Sequence, residues 1–235
     1  MRYRDVFPNR HTFLAVIHVE SASQAIEQAA IAREGGADGI FLINHNQPYG
    51  FLRRVYISIR QIHPDWWIGL NFLDLTALQA ITSLPDDASG LWTDNAGVPE
   101  SASIEGFAAE QNWMTWQMEC SLRPSCNRLY FGGVAFKYQG PVADPAGAAW
   151  NATKFMDVIT TSGDQTGSPP AVGKIVAMRD AIGNSPLAIA SGIAPENVPA
   201  YLSLADCFLV ATGISRSFTE FDPARVRALA EAIRR

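Results

Sequence analysis

Short apolar runs alternate with amphipathic stretches along the whole chain, and this alternation carries most of what the sequence says about the fold. Eight runs have the length and bulk of strands buried on both faces: residues 13–17, 39–43, 66–70, 90–93, 129–136, 156–160, 187–190 and 207–211. Between them, apolar residues recur at helical spacing. Ile26, Ala29 and Ala30 follow the first run, with Ser21 or Ser23 as cap, and Leu52, Val55, Tyr56 and Ile59 follow the second. Leu75 and Leu78 follow the third, Trp113 and Trp116 lie within the poorly patterned residues 100–127, and Asp144 starts the helix after the fifth run. Val172, Ile175 and Val176 mark another helix, and Pro195 opens a short one carrying Val198, Tyr201 and Leu202. Asp222-Pro223 begins the last, whose core face is Val226, Leu229, Ala230 and Ile233.

Strict alternation of strands and helices requires a parallel sheet. Eight such units in 235 residues match an α/β fold of the (β/α)8 barrel type, read as one domain over residues 1–235. An open doubly wound sheet is the competitor, but its glycine-rich fingerprint is absent after the first strand, where His18-Val19-Glu20 stands instead.

Composition narrows the partners. The chain is 48% hydrophobic and 17% charged, with a formal net charge of -5 and no Lys/Arg block, which argues against nucleic-acid and membrane-surface binding. No run of about 18 apolar residues suggests a membrane span, and the start has no signal-peptide core, so a cytoplasmic protein is expected. Cys120, Cys126 and Cys207 are an odd set without zinc spacing, and reduced thiols are the expectation.

In a barrel of this kind the residues that end the strands meet at one face, whatever their separation in sequence. Candidate catalytic groups there are His18, Glu20, Asp94 and Lys137. His18 titrates in a range useful for acid–base work, with Glu20 to orient it or bind a cation; equally, His18 can satisfy a loop carbonyl and Glu20 can favour a helix start. Asp94 can be a base, a ligand for a divalent cation, or a turn residue. Lys137 can pair with an anion, form a Schiff base, or make a structural salt bridge. No metal-ligand cluster is discernible. Asn44 and Asn71 offer donors and acceptors to a substrate, as do Thr161, Gly163 and Asp164 after the sixth strand. Ser191-Gly192 and Thr212-Gly213 end strands seven and eight, where barrels often hold phosphate, with Ser215 and Arg216 just beyond.

The order of motifs resembles the BtpA family, barrel proteins named for a role in photosystem I biogenesis and sometimes labelled phosphoribosyltransferase-like. The residues that carry the resemblance are 16–18, 34–40, 69–71, 161–170, 190–198 and Ala205-Asp206, the Thr/Gly/Pro-rich stretch 162–170 being the most distinctive. The sequence departs from the family pattern at Val19 to Ser23 and in lacking a lysine after Thr212-Gly213. The resemblance implies a barrel of the ribulose-phosphate-binding class and names no reaction. The resulting expectation is an enzyme acting on a small phosphorylated metabolite, a sugar phosphate or nucleotide derivative, as a transferase, lyase or isomerase. The alternative is a non-catalytic assembly factor whose protein partner, or second copy in a homo-oligomer, docks near residues 100–127.

Overall fold

The computed structural model describes residues 2–99, 106–122, 128–140 and 142–234. Eight parallel strands close a barrel in sequential order, with β8 returning to β1. They are β1 Thr12–Val19, β2 Gly39–Asn44, β3 Trp67–Asn71, β4 Gly90–Thr93, β5 Leu129–Gly133, β6 Val158–Thr161, β7 Leu187–Ile189 and β8 Cys207–Val210. The helices are α1 Arg2–Val6, α2 Ala22–Glu34, α3 Tyr49–Ile62, α4 Ala77–Ser83, α5 Phe107–Ser121, α6 Pro145–Ala152, α7 Val172–Ile182 and α8 Pro223–Arg234.

Period-two alternation splits the buried residues into two sets. Leu14, Val16, Phe41, Ile43, Trp67, Trp92, Phe131 and Leu209 fill the barrel interior, while Ile17, Leu42, Ile68, Leu70 and Ile159 face the helices. The interior is built around large rings: Phe41 meets Trp67, Trp92 and Phe131 edge-to-face with centroids 5.0, 5.6 and 5.2 Å apart. Gly69 and Gly90 make the room, since a Cβ on either would lie within 3 Å of one of these rings. Helix starts use the predicted residues. Ser21 Oγ accepts from Gln24 N at 3.2 Å, and Asp144 Oδ1 accepts from Gly147 N at 2.9 Å.

Four expectations change. The short helix beginning at Pro195 is only a 3-10 turn, Val198–Ala200, because Pro199 has no N–H to donate four residues back. The fifth strand stops at Gly133 instead of running to 136: Ala135 takes φ 47° and breaks the extended path, so Lys137 lies in a loop beyond the strand. The sixth begins at Val158, because Asp157 turns its carboxylate back to accept from Tyr130 N. The amphipathic pattern also misses α1, which closes the amino-terminal end of the barrel. There Tyr3 Oη donates to Thr12 Oγ1 at 2.7 Å, and Arg4 pairs with Asp206. Cys120 and Cys207 are buried; Cys126 falls outside the described residues. Among the described residues no helix is long and apolar enough to cross a membrane.

Candidate functional site

The carboxyl ends of the strands enclose a cavity of about 480 Å³. Its floor is the top layer of the interior, Val16, Ile43, Trp92 and Leu209, and its walls come from every strand end: His18, His45, Leu73, Asp94, Lys137 with Tyr138, Thr166 with Gly167, Ser191-Gly192, and Thr212 with Phe218. A larger groove of about 870 Å³ lies at the opposite end of the barrel. Its Arg60 is already committed, donating to the carbonyls of Trp66 at 2.6 Å and Pro64 at 3.0 Å, and that face of a barrel serves stability. The chemistry therefore concentrates in the smaller cavity.

His18, at the end of β1, is buried, and among the described residues its Nδ1 has no hydrogen-bond partner. Its ring packs 4.7 Å from His45 and 4.2 Å from Phe218, centroid to centroid. Burial, then the neighbouring His45 and the Lys137 charge, push its pKa down to about 4, with the Phe218 backbone working the other way. His45 is lowered too, by burial and by Lys137. Both imidazoles are thus neutral at pH 7.

Asp94 follows β4, and its Oδ1 accepts from Asn71 Nδ2 at 2.9 Å. Burial raises its pKa, a shift partly opposed by that hydrogen bond and by Lys137. Lys137 is lowered by burial and partly restored by Asp94. The loop holding Lys137 is braced from two sides. Its own N–H donates to Ser162 Oγ at 2.8 Å, and Lys174 Nζ donates to the carbonyls of Ala135 and Ser162 at 2.6 and 2.7 Å.

On the far wall, the segment 162–170 lies over the end of β7. Ser191 Oγ donates to Gln165 O at 3.1 Å, and a Cβ on Gly192, which has φ 64°, would lie 2.1 Å from Pro169 N. Gly213 is equally confined, 1.8 Å from Ile193 O by the same construction. The carbonyls of both glycines are tied back, Gly192 O to Asn197 Nδ2 at 2.8 Å and Gly213 O to Arg225 Nε at 2.9 Å. Among the described residues the N–H groups of Ser191, Gly192 and Ile193 find no acceptor, and Thr212 and Gly213 open a one-turn 3-10 helix whose first N–H groups have none within it.

The other sequence candidates lie elsewhere. Glu20 is exposed outside the cavity. Asn44 is fully buried and spent on loops: Nδ2 donates to Gln47 O and Asp74 Oδ1, both at 2.7 Å, while Oδ1 accepts from Leu73 N at 2.9 Å. Asn71 reaches the cavity only through Asp94. Thr161 donates to Ala135 O at 3.2 Å, and Gly163 and Asp164 line a side cavity with Lys174. His45 stands one residue past β2 (Gly39–Asn44), a position the strand pattern itself marks, whereas nothing in the local pattern around Phe218 points to a site. Arg216 pairs at the surface with Glu220, 3.5 Å away. Among the described residues no group of three or more His, Cys, Asp or Glu side chains is placed to hold a metal ion.

Comparison with known proteins adds a family and a set of similar barrels. The model of the BtpA family matches residues 147–235, which bears out the resemblance for the part of the chain holding 161–170, 190–198 and Ala205-Asp206. No curated protein matches the chain. Among solved structures, (S)-3-O-geranylgeranylglyceryl phosphate synthase from Thermoplasma acidophilum, in complex with its substrate sn-glycerol-1-phosphate, is similar with TM-score 0.68 and 14% identity, over 99% of this chain and 96% of that one. Phosphoribosyl anthranilate isomerase from Thermus thermophilus gives 0.63 and 15% identity, over 94% and 97%. Orotidine 5'-monophosphate decarboxylase from Methanocaldococcus jannaschii gives 0.64 and 11%, over 95% and 100%. At these identities the likeness establishes the fold, a (β/α)8 barrel.

Proposed function

We propose that the protein is an enzyme that binds a small phosphorylated metabolite in the mouth of its barrel and transforms it by acid–base chemistry. The observation that carries this reading is the division of the cavity. Backbone N–H groups unpaired among the described residues and the Thr212 side chain gather after β7 and β8, while Asp94 and Lys137 stand after β4 and β5. The first group suits a phosphate and the second suits proton transfer, because burial brings the carboxyl and the amine toward each other's range. His18, neutral and poor in partners, adds a third group able to donate or accept. The names of the similar barrels, which specify a glyceryl phosphate, a phosphoribosyl compound and a nucleotide, support the substrate class.

Calorimetric titration with inorganic phosphate, glycerol 1-phosphate and ribose 5-phosphate tests the anchor. Binding is expected for the native chain and is lost in Thr212→Glu, which puts a negative charge in the cavity wall. If none of the three binds at millimolar concentration, the proposal has lost its support.

A second reading, an assembly factor or homo-oligomer, is favoured by α5. Phe107, Met114, Met118 and Leu122 fall on one helical face and are 75, 63, 55 and 71% exposed, while Ala109, Asn112, Trp116 and Cys120 face the barrel. Met114→Glu with Met118→Glu leaves ligand binding intact on the first reading and abolishes partner or self-association on the second, as measured by sedimentation.

A further inference from the structure

From the opposite wall of the cavity we infer that the phosphorylated ligand carries an uncharged planar ring, which packs against His18, His45 and Phe218. The inference rests on the phosphate-anchor reading and adds the chemistry of the rest of the molecule.

Three rings from three different strand ends form one surface. His18 comes from β1, His45 from just past β2, and Phe218 from the tip of the hairpin after β8, where Ser215 and Phe221 form an antiparallel bridge. Their centroids are 4.2 Å apart for His18 and Phe218, 4.7 Å for the two imidazoles, and 5.1 Å for His45 and Phe218. The two spacings that involve His45 are those of favourable ring pairs, and His18 and Phe218 sit closer still. The cluster leaves a face uncovered, for Phe218 is 55% exposed although its neighbour His18 is only 9% exposed. A large apolar side chain held out at a cavity rim is apolar surface that a ligand can cover.

The wall is also uncharged. Both imidazoles are neutral at pH 7 and the cavity floor beneath them is apolar, so a second phosphate or a carboxylate placed there would be buried with no charged group of this wall to pair with. The charged pair, Asp94 and Lys137, belongs to β4 and β5, across the closed barrel from β1, and the anchor belongs to β7 and β8. A bare sugar phosphate would leave the ring wall unused. A phosphomonoester with an aromatic ring reaches all three regions, and a cavity of about 480 Å³ is within the range that encloses a ligand of that size.

Calorimetry with a matched pair, phenyl phosphate and methyl phosphate, separates this inference from the reading beneath it. Phenyl phosphate is expected to bind about tenfold more tightly, the scale of one ring pair plus its buried area. Phe218→Ala should bring phenyl phosphate to the affinity of methyl phosphate and leave methyl phosphate within twofold of native, while Phe218→Tyr should keep the preference. Equal affinities in the native chain overturn the ring and leave the anchor standing. A preference that survives Phe218→Ala overturns the assignment of the ring to this wall. If neither compound binds, the anchor itself fails and the inference falls with it.

Discussion

Acidification gives the most direct test of the electrostatics at the barrel mouth, because His18 titrates far from its ordinary range. Its folded-state pKa is about 4, against about 6.5 in an unfolded chain. Between these values the unfolded chain binds a proton that the native state refuses. The stability that His18 contributes is therefore fully present above pH 6.5, is lost as pH falls toward 4, and changes no further below. Integrating that linkage gives a loss of about 1.8 kcal/mol between pH 7 and pH 5, and roughly 3 kcal/mol by the time both states are protonated. With a urea slope of about 2 kcal/mol/M, the first figure is a fall of about 0.9 M in the denaturation midpoint. His45 and the partly exposed His11 and His63 are lowered as well, and Asp94 is raised and acts with the opposite sign, so the native profile alone does not isolate His18. Urea unfolding of the native chain and of His18→Gln at both pH values does isolate it, because the other groups are common to both. The variant should lose about 1.8 kcal/mol less than the native chain over this interval. Parallel losses in the two proteins would refute the argument that the cavity holds this imidazole neutral.

Four other outcomes follow from the same geometry. Binding of a phosphate dianion at the β7 and β8 ends, in the same cavity as Lys137, should raise the lowered pKa of that ammonium and draw in protons; calorimetry of ribose 5-phosphate in buffers of different ionisation enthalpy should give an uptake above pH 7 that Lys137→Met removes. Gly192→Ala meets Pro169 at 2.1 Å from a left-handed backbone and should cost about 2–4 kcal/mol, lowering Tm by roughly 5–10 °C. By contrast Gly173→Ala on α7, with nothing within 4 Å, should stabilise the chain by up to about 1 kcal/mol. Lys174→Met strips the ammonium from the carbonyls of Ala135 and Ser162, and should cost about 2–3 kcal/mol in urea unfolding, a loss that Lys174→Arg does not fully restore.

The strands, their order and the end of the barrel where polar residues collect are legible in the amino-acid sequence. These depend on local periodicity, and a run buried on both faces can be recognised without knowing its neighbours. It likewise brought forward His18, Asp94, Lys137, Ser191, Gly192 and Thr212, since each stands at or just beyond a strand end. What lay beyond it were properties set by contact across the barrel. Whether a strand-end asparagine meets the cavity or ties loops together depends on Asp74, thirty positions from Asn44. Whether the two glycine endings are open cradles or packed turns depends on Pro169 and Ile193, which approach them only in the folded chain. Phe218 enters the site because a hairpin after the last strand folds back over the first, and the neutrality of both histidines follows from burial and from Lys137 on another strand end. Periodicity is a property of neighbours in sequence; burial, charge coupling and close approach belong to neighbours in space, which exist only once the barrel has closed.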